Sequence, residues 1–439
     1  MLLRKRDSPA VFRFLLISVC AALSVTARCS ADGTKLFLWK GINGGATVYL
    51  LGSFHALHPS DYPLPAAFET AFTKSSEVAF ETDLDLLVSP NFVAQLTALA
   101  FYPSGQTIRQ QIPNSTYEML RSYASDTGRP ATFFDTFRPW FVSVTIAAEQ
   151  YQNQGFSSDL GVDRHFYDKA KLAQKQLASL ETPESQLFVF SGLSAELQAE
   201  DLNDVLTNLA SFPADTERLL NAWKTGDTAS LAALFSPADP AIYARVLSDR
   251  NRAWLPKIES YFGSPGVRMV IVGAGHLTGK DSVIDLLRSK SYDVQQLEGP
   301  ALLQQPTSVT TTAGASVTIS VEVTGTPPLA FQWYRDSLPL AGVTSRTFTI
   351  SAAHPSDSGE YRVKVSNEVE EVESDTATLA VKTSPLPTLT ATRLESGWVR
   401  LSWPKSAGTS VLQSSNLSTP VTWAVEPNVA NSAAEEITL

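Results

Sequence analysis

Two short runs near opposite ends of the first three hundred residues are apolar at almost every position. They are Thr47-Val48-Tyr49-Leu50-Leu51 and Arg268-Met269-Val270-Ile271-Val272. Unalternating runs of this length, next to glycines, predict strands buried on both faces. Glu77-Val78-Ala79-Phe80-Glu81 predicts a third strand. Between and after these runs the apolar positions recur at helical spacing. That predicts helices over 64–74, 138–151, 160–175, 195–210, 214–224, 240–261 and 280–289. In the last of these, Val283, Ile284 and Leu287 share one face. Strands toward both ends with helices between them predict an α/β (α+β) fold.

The pattern changes after residue 300. Residues 302–382 are rich in Thr, Val and Ser in short alternating runs, and resemble an immunoglobulin-like sandwich. Val317-Thr318-Ile319-Ser320-Val321 reads as its second strand, and Phe331-Gln332-Trp333-Tyr334 as its third, with Trp333 in the core. Tyr361 sits where such domains place a corner tyrosine, and Val363 stands at the usual cysteine position two residues on. Val321 occupies the partner position, so packing replaces the disulfide. Thr383-Ser384-Pro385-Leu386-Pro387 reads as a linker to a small β-rich appendage over 388–439, where Trp398, Trp403 and Trp423 are expected to be buried. At the other end, residues 1–27 read as a signal peptide. Arg4, Lys5 and Arg6 precede an apolar run, and Val25-Thr26-Ala27 offers small residues for cleavage. An uncleaved anchor is the other reading.

Composition narrows the function classes. The chain has 439 residues and a net charge of −10, with no clustered Lys and Arg. That argues against nucleic acid as partner, because phosphate binding needs a basic face. The two cysteines, Cys20 and Cys29, lie near the N-terminus, so neither a disulfide framework nor a cysteine zinc site is expected in the folded part. A secreted, periplasmic or cell-surface location follows from the signal. Association with the envelope would run through the β modules.

Candidate chemistry gathers at the strand ends. Each of the two apolar runs ends in Gly-x-x-His: Gly52-Ser53-Phe54-His55 and Gly273-Ala274-Gly275-His276. Loops at the carboxyl ends of strands in open α/β sheets build the binding crevice. Glu81 closes the third run. Two histidines and a carboxylate from separate strand ends can form a metal triad with one position open to water. Further candidates are Asp163 and His165 at the start of a helix, Glu181 in Leu180-Glu181-Thr182-Pro183, and Arg250-Asn251 in a helix that buries Trp254 and Ile258. An arginine in such a place can clamp a carboxylate or an oxyanion. Taken one by one, each of these also has an ordinary structural reading: strand-end capping, a helix first turn, a surface ion pair.

Together, and in this order, these segments resemble the TraB/PrgY/GumN family, which includes Tiki-like metalloproteases, over residues 34–300. The resemblance implies a bacterial secreted protein with two sheet-bearing halves and a divalent-metal-dependent, peptidase-like site. By it, His55, Glu81 and His276 are metal ligands, and Glu81, Glu181, Arg250 and Asn251 act in catalysis. Gly52, Asp163, His165 and Gly273 support the cleft. Manganese, cobalt or zinc would suit the donors, and the substrate would be a peptide or protein. The rival reading is a non-catalytic surface protein that holds haem or a peptide in the same cleft.

Overall fold

The computed structural model describes residues 33–235 and 240–383, together with the backbone of short strands between 390 and 438. The signal-like segment 1–27 lies outside the described residues, as do the side chains of the 388–439 appendage, Trp398, Trp403 and Trp423 included. Short paired strands mark the appendage: Thr390–Arg393, Val399–Ser402 and Glu436–Thr438 in one sheet, Leu412–Gln413 with Ala424–Val425 in another.

The strands of the first domain are β1 (Lys35–Asn43), β2 (Ala46–Ser53), β3 (Glu77–Phe80), β4 (Gln176–Ser179), β5 (Gly266–Gly273) and β6 (Val294–Glu298). They form one sheet in the order β4-β3-β5-β2-β1-β6. β2, β5, β3 and β4 are mutually parallel, and β1 runs antiparallel to both of its neighbours. The two strand-bearing halves of the chain therefore merge: β5 inserts between β2 and β3. Leu36, Phe37, Leu38 and Trp39 of β1 are all buried, as are Val48 to Leu51 of β2 and Met269 to Val272 of β5. Successive strand residues point to opposite faces, so both faces of the sheet are covered.

Helices provide the cover. α1 (Ala66–Lys74) buries Phe68 and Phe72 one turn apart. After it come α2 (Pro90–Ala100), α3 (Asn114–Asp126), α4 (Pro139–Asn153) and α5 (Val162–Leu172), then α6 (Pro183–Ser191), α7 (Ala195–Thr207), α8 (Phe212–Lys224) and α9 (Thr228–Leu234). α10 (Pro240–Tyr243) continues through a π-helical turn, Ala244–Ser248, into α11 (Asp249–Phe262), and α12 (Val283–Ser289) precedes β6. α5, α8, α11 and α12 send Phe166, Trp223, Trp254, Ile258 and Leu287 into the main core. The helices inserted between β3 and β5 build two further clusters around Trp140 and Phe190, and around Leu120 and Ile146.

A sandwich follows at once. One sheet holds Val309–Thr312, Ala330–Arg335, Leu338–Pro339, Gly359–Ser366 and Ala377–Lys382. The opposing pair is Val317–Ser320 with Thr347–Ile350. Val321, Trp333, Tyr361 and Val363 share its core, and the Tyr361 hydroxyl donates to Asp357 O at 2.7 Å. The expected corner tyrosine and the valine pair in place of a disulfide are thus both present. The loop Asn367–Val369 docks on the first domain. Asn367 Nδ2 donates to Glu298 O at 2.7 Å, and Glu368 pairs with Lys40 at 2.7 Å and Lys74 at 2.8 Å.

Candidate active site

Four parallel strands deliver four of the expected residues to one edge. Glu81 directly follows β3, His55 lies two residues beyond β2, Glu181 two beyond β4, and His276 three beyond β5. β4 and β3 stay in step past their ends, since the Glu181 backbone N–H donates to Glu81 O at 2.8 Å. These are neighbouring strands, so the carboxyl edge of the sheet forms a row of two imidazoles and two carboxylates.

Each histidine is set by a group behind its ring. Asp163, in the first turn of α5, places Oδ2 3.2 Å from His55 Nδ1, and Ser53 Oγ donates to the same carboxylate at 3.1 Å. Gly161 makes this docking possible. A Cβ there would meet His55 O at 2.3 Å, so α5 can approach the end of β2 only through glycine. With Nδ1 turned to Asp163, His55 Nε2 is buried and has no hydrogen-bond partner. Burial disfavours the charged ring, but the Asp163 carboxylate outweighs it, so the His55 pKa lies above its ordinary value.

For His276, the neighbouring Arg250 fixes the tautomer. Arg250 can only donate, so its Nη1, 2.9 Å away, makes His276 Nε2 an acceptor. The ring proton is then on Nδ1, which donates to Asn251 Oδ1 at 2.7 Å. Asn251 is held in that orientation by its own Nδ2, which donates to Asp281 O. Burial and the nearby guanidinium push the His276 pKa down to about 3, so the ring is neutral.

Arg250 is the hub. Nε and Nη2 fork onto Glu181 at 3.2 and 2.6 Å, Nη2 also reaches Glu81 Oε2 at 2.6 Å, and Nη1 adds Val246 O at 3.1 Å to its contact with His276. The acceptor Val246 belongs to the π-helical turn just before α11. The Arg250 side chain is only 7% exposed and stacks over Trp254, whose Nε1 donates to Glu181. All of its N–H donors are engaged, so in this state it offers nothing to an oxyanion. The expected clamp is a clamp on Glu81 and Glu181.

The two glutamates differ. Burial raises the Glu81 pKa, but Arg250, the imidazoles and the Gly273 N–H, which donates to Oε1 at 2.7 Å, bring it down to about 2. For Glu181, burial and the charge of Glu81 exceed the pull of Arg250, and its pKa is raised. Gly273 lies at the centre. A Cβ on it would stand 3.0 Å from His55 Nε2, 3.3 Å from Glu81 Oε1 and 3.6 Å from His276 Cδ2. Gly52 serves packing instead. Its missing side chain lets Phe37 lie against β2, and its carbonyl accepts from Trp223 Nε1 at 2.7 Å.

His165 is not brought into this network. Its Nε2 pairs with Glu69 at 2.9 Å beside Lys169, and its ring packs on Tyr62. Gln186 does belong, since its Nε2 donates to Glu81 Oε2 at 3.1 Å. Sequence reasoning misses it, although it follows Glu181 by five residues, about one helical turn into α6. Ser53 lies inside the Gly-x-x-His motif, where the spacing alone gives it no role.

The metal expectation divides in two. Among the described residues, no three His, Cys, Asp or Glu side chains already form a cage for an ion. His276 Nε2 and Glu81 Oε1 are 3.8 Å apart, with the guanidinium bonded to both residues. The donor chemistry nevertheless fits: a buried unpartnered imidazole nitrogen, a neutral imidazole and an ionised carboxylate meet around a position that has no side chain of its own. Glu81 and Glu181 also share the one guanidinium, an imbalance of the sign a divalent cation neutralises.

The profile of the TraB/PrgY/gumN family matches residues 37–296, more than half of the chain. The chain belongs to the TraB/PrgY/gumN family. The immunoglobulin I-set profile follows over 300–381. Metalloprotease TIKI2 of Danio rerio is similar at 23% identity over 350 residues, covering 64% of this chain and 67% of that protein. An uncharacterized protein of Treponema pallidum is 22% identical over 296 residues, covering 62% of this chain and 87% of its own length. Among solved structures, a mutant titin M10–obscurin-like 1 Ig complex aligns with 20% of this chain and 99% of that one, at 25% identity and TM-score 0.19. The family region holds the whole row from His55 to His276. The chain spans about two thirds of the length of the TIKI2 relative. No helix among the described residues is long and apolar enough to cross a membrane.

Proposed function

We propose that this TraB/PrgY/gumN protein is a divalent-metal-dependent hydrolase that cleaves peptide bonds. One observation carries the reading. His55 Nε2 is buried without a partner, its ring held by Asp163 on the other nitrogen, at the glycine that also faces Glu81 and His276. A carboxylate behind a histidine whose far nitrogen is free is the usual preparation of a metal ligand. Likeness to a TIKI metalloprotease supports the same reading.

His55, Glu81 and His276 would hold the ion; manganese, cobalt and zinc all suit such donors. When bound, a divalent ion supplies a water of lowered pKa and polarises the scissile carbonyl. The chain's own residues do the rest. Asp163 and Asn251 hold the ring protons at Nδ1, which leaves the two Nε2 atoms to face the site. Glu81, at about 2, is too weak a base to accept a proton near neutrality. Glu181, with its pKa raised, is the carboxyl suited to take a proton from water and return it to the leaving amine. Trp254 and Arg250 keep it oriented and partly dry.

The signal-like segment 1–27 supports an exported protein, and the Ig domain supports a protein substrate or an envelope partner. The test is metal content by mass spectrometry together with cleavage of an unstructured peptide library. Wild type should retain a divalent ion and cleave. A His55→Ala/His276→Ala variant that still folds should do neither, and a variant that kept both properties would end the proposal.

A further inference from the structure

We infer that Arg250 is an internal cation that occupies one of the metal's ligands, so that metal uptake requires the guanidinium to release His276. The inference rests on the metal-dependent reading above and adds to it a competition inside the protein.

Two contacts carry it. Arg250 Nη1 sits on the Nε2 lone pair of His276 at 2.9 Å, the only lone pair that ring has left once Nδ1 donates to Asn251. Arg250 Nη2 sits on Glu81 Oε2 at 2.6 Å. A lone pair that accepts a charge-assisted hydrogen bond cannot bind a metal at the same time. His55 Nε2, by contrast, has no hydrogen-bond partner. Of the three donors, His276 is thus closed, Glu81 is engaged on one oxygen with Oε1 still turned to Gly273, and His55 Nε2 stands without a partner.

The release has somewhere to end. Nε and Nη2 already grip both oxygens of Glu181. Arg250 can therefore give up His276 and Glu81 and remain paired, and the carboxylate it keeps is the one not needed as a ligand. The Nη1 partner Val246 lies in the π-helical turn Ala244–Ser248, and such turns are irregular segments within otherwise regular helix. The cost of leaving the buried Glu81 carboxylate without its cation keeps Arg250 in place until another cation arrives.

Isothermal titration of the full chain with Mn2+ tests this. Arg250→Gln alone would strand Glu81 and Glu181 as buried charges and can unfold the site, so the decisive variant is Arg250→Gln/Glu181→Gln. It removes one charge of each sign, leaves the site's net charge unchanged and deletes the fork. Circular dichroism and thermal melting establish that it folds. Its Mn2+ affinity should exceed that of wild type by about tenfold or more, the worth of one charge-assisted hydrogen bond. Arg250→Lys, which keeps the charge and loses the fork, should also bind more tightly than wild type. The exposed neighbour Arg252→Gln should not differ. Binding by wild type with no gain in the folded double variant overturns the role of Arg250 and leaves the metal reading standing. No binding by any of the proteins overturns the metal reading and this inference with it. Binding by the double variant alone supports Arg250 as a complete block and overturns the expectation that wild type retains an ion.

Discussion

Gly273 and His55 stand so close that a single methyl group on the glycine would lie 3.0 Å from the imidazole Nε2. The same methyl would crowd Glu81 and His276. The glycine backbone is nevertheless ordinary, with φ −51° and ψ 139°, which alanine adopts freely. Gly273→Ala should therefore fold with a melting temperature close to that of wild type and lose divalent-metal binding and cleavage. Titration calorimetry and a peptide assay decide it; an alanine variant with full metal affinity would show that the position is not the ligand cradle.

Asp163 should act on affinity more than on stability. Its carboxylate orients His55 from the far nitrogen, and groups in that role are worth about 10–100-fold in metal affinity or activity. Asp163→Asn should weaken Mn2+ binding by that order in calorimetry. Unchanged affinity would remove Asp163 from the site.

Glu368 ties the two domains together. It accepts from Lys40, Lys74 and the Tyr49 hydroxyl, and Lys40 and Tyr49 face each other across β1 and β2. Burial works against its charge, but these donors hold its pKa down to about 2. A depressed carboxylate adds stability that is complete above the ordinary glutamate pKa and is lost as the pH falls toward the folded value. Glu368→Gln should be less stable than wild type by about 1–3 kcal/mol near neutrality. The gap should close between about pH 4.5 and about pH 2, as followed by denaturant unfolding at each pH. A gap that did not change over this window would contradict the pairing.

Asp201 has the opposite sign. It is buried on α7, and burial, aided by Asp204, pushes its pKa up to about 6. The folded state then holds its proton more tightly than the unfolded chain, so stability falls as the pH rises from about 4 to about 6. Asp201→Asn, which never ionises, should gain on wild type across that window by about 1–3 kcal/mol. Equal pH profiles for the two proteins would refute it.

Tyr361→Phe should cost the Ig domain about 0.5–1.5 kcal/mol in chemical unfolding, the net worth of the hydrogen bond to Asp357 O. Mn2+ affinity should be untouched, because Tyr361 lies in the sandwich core.

Much of this architecture is legible in the linear pattern. Thr47 to Leu51 and Met269 to Val272 read as buried strands because a strand covered on both faces has no polar alternation to hide. The helices near 138–151, 160–175 and 214–224 show their period, and the Ig core shows its Trp333 and Tyr361. The strand Gln176–Ser179 is not visible in this way, because it is short, partly exposed and owes its existence to pairing with Glu77–Phe80. The strand Lys35–Asn43 and the helix Pro90–Ala100 also escape the sequence reading.

The chemistry divides along the same line. Local signals at strand ends and in helices single out His55, Glu81, Asp163, His165, Glu181, Arg250, Asn251 and His276 as candidates, and the family resemblance gives them their roles. Only the folded chain decides that β5 lies between β2 and β3, which makes residues more than two hundred positions apart into neighbours. It also decides that Arg250 spends its donors on two glutamates and a histidine, that Gln186 joins them, and that His165 turns to Glu69. The physical reason is range. Strand and helix patterns arise from interactions within a few residues, whereas ion pairing and proton placement depend on which segments the sheet order brings within about 3 Å of one another.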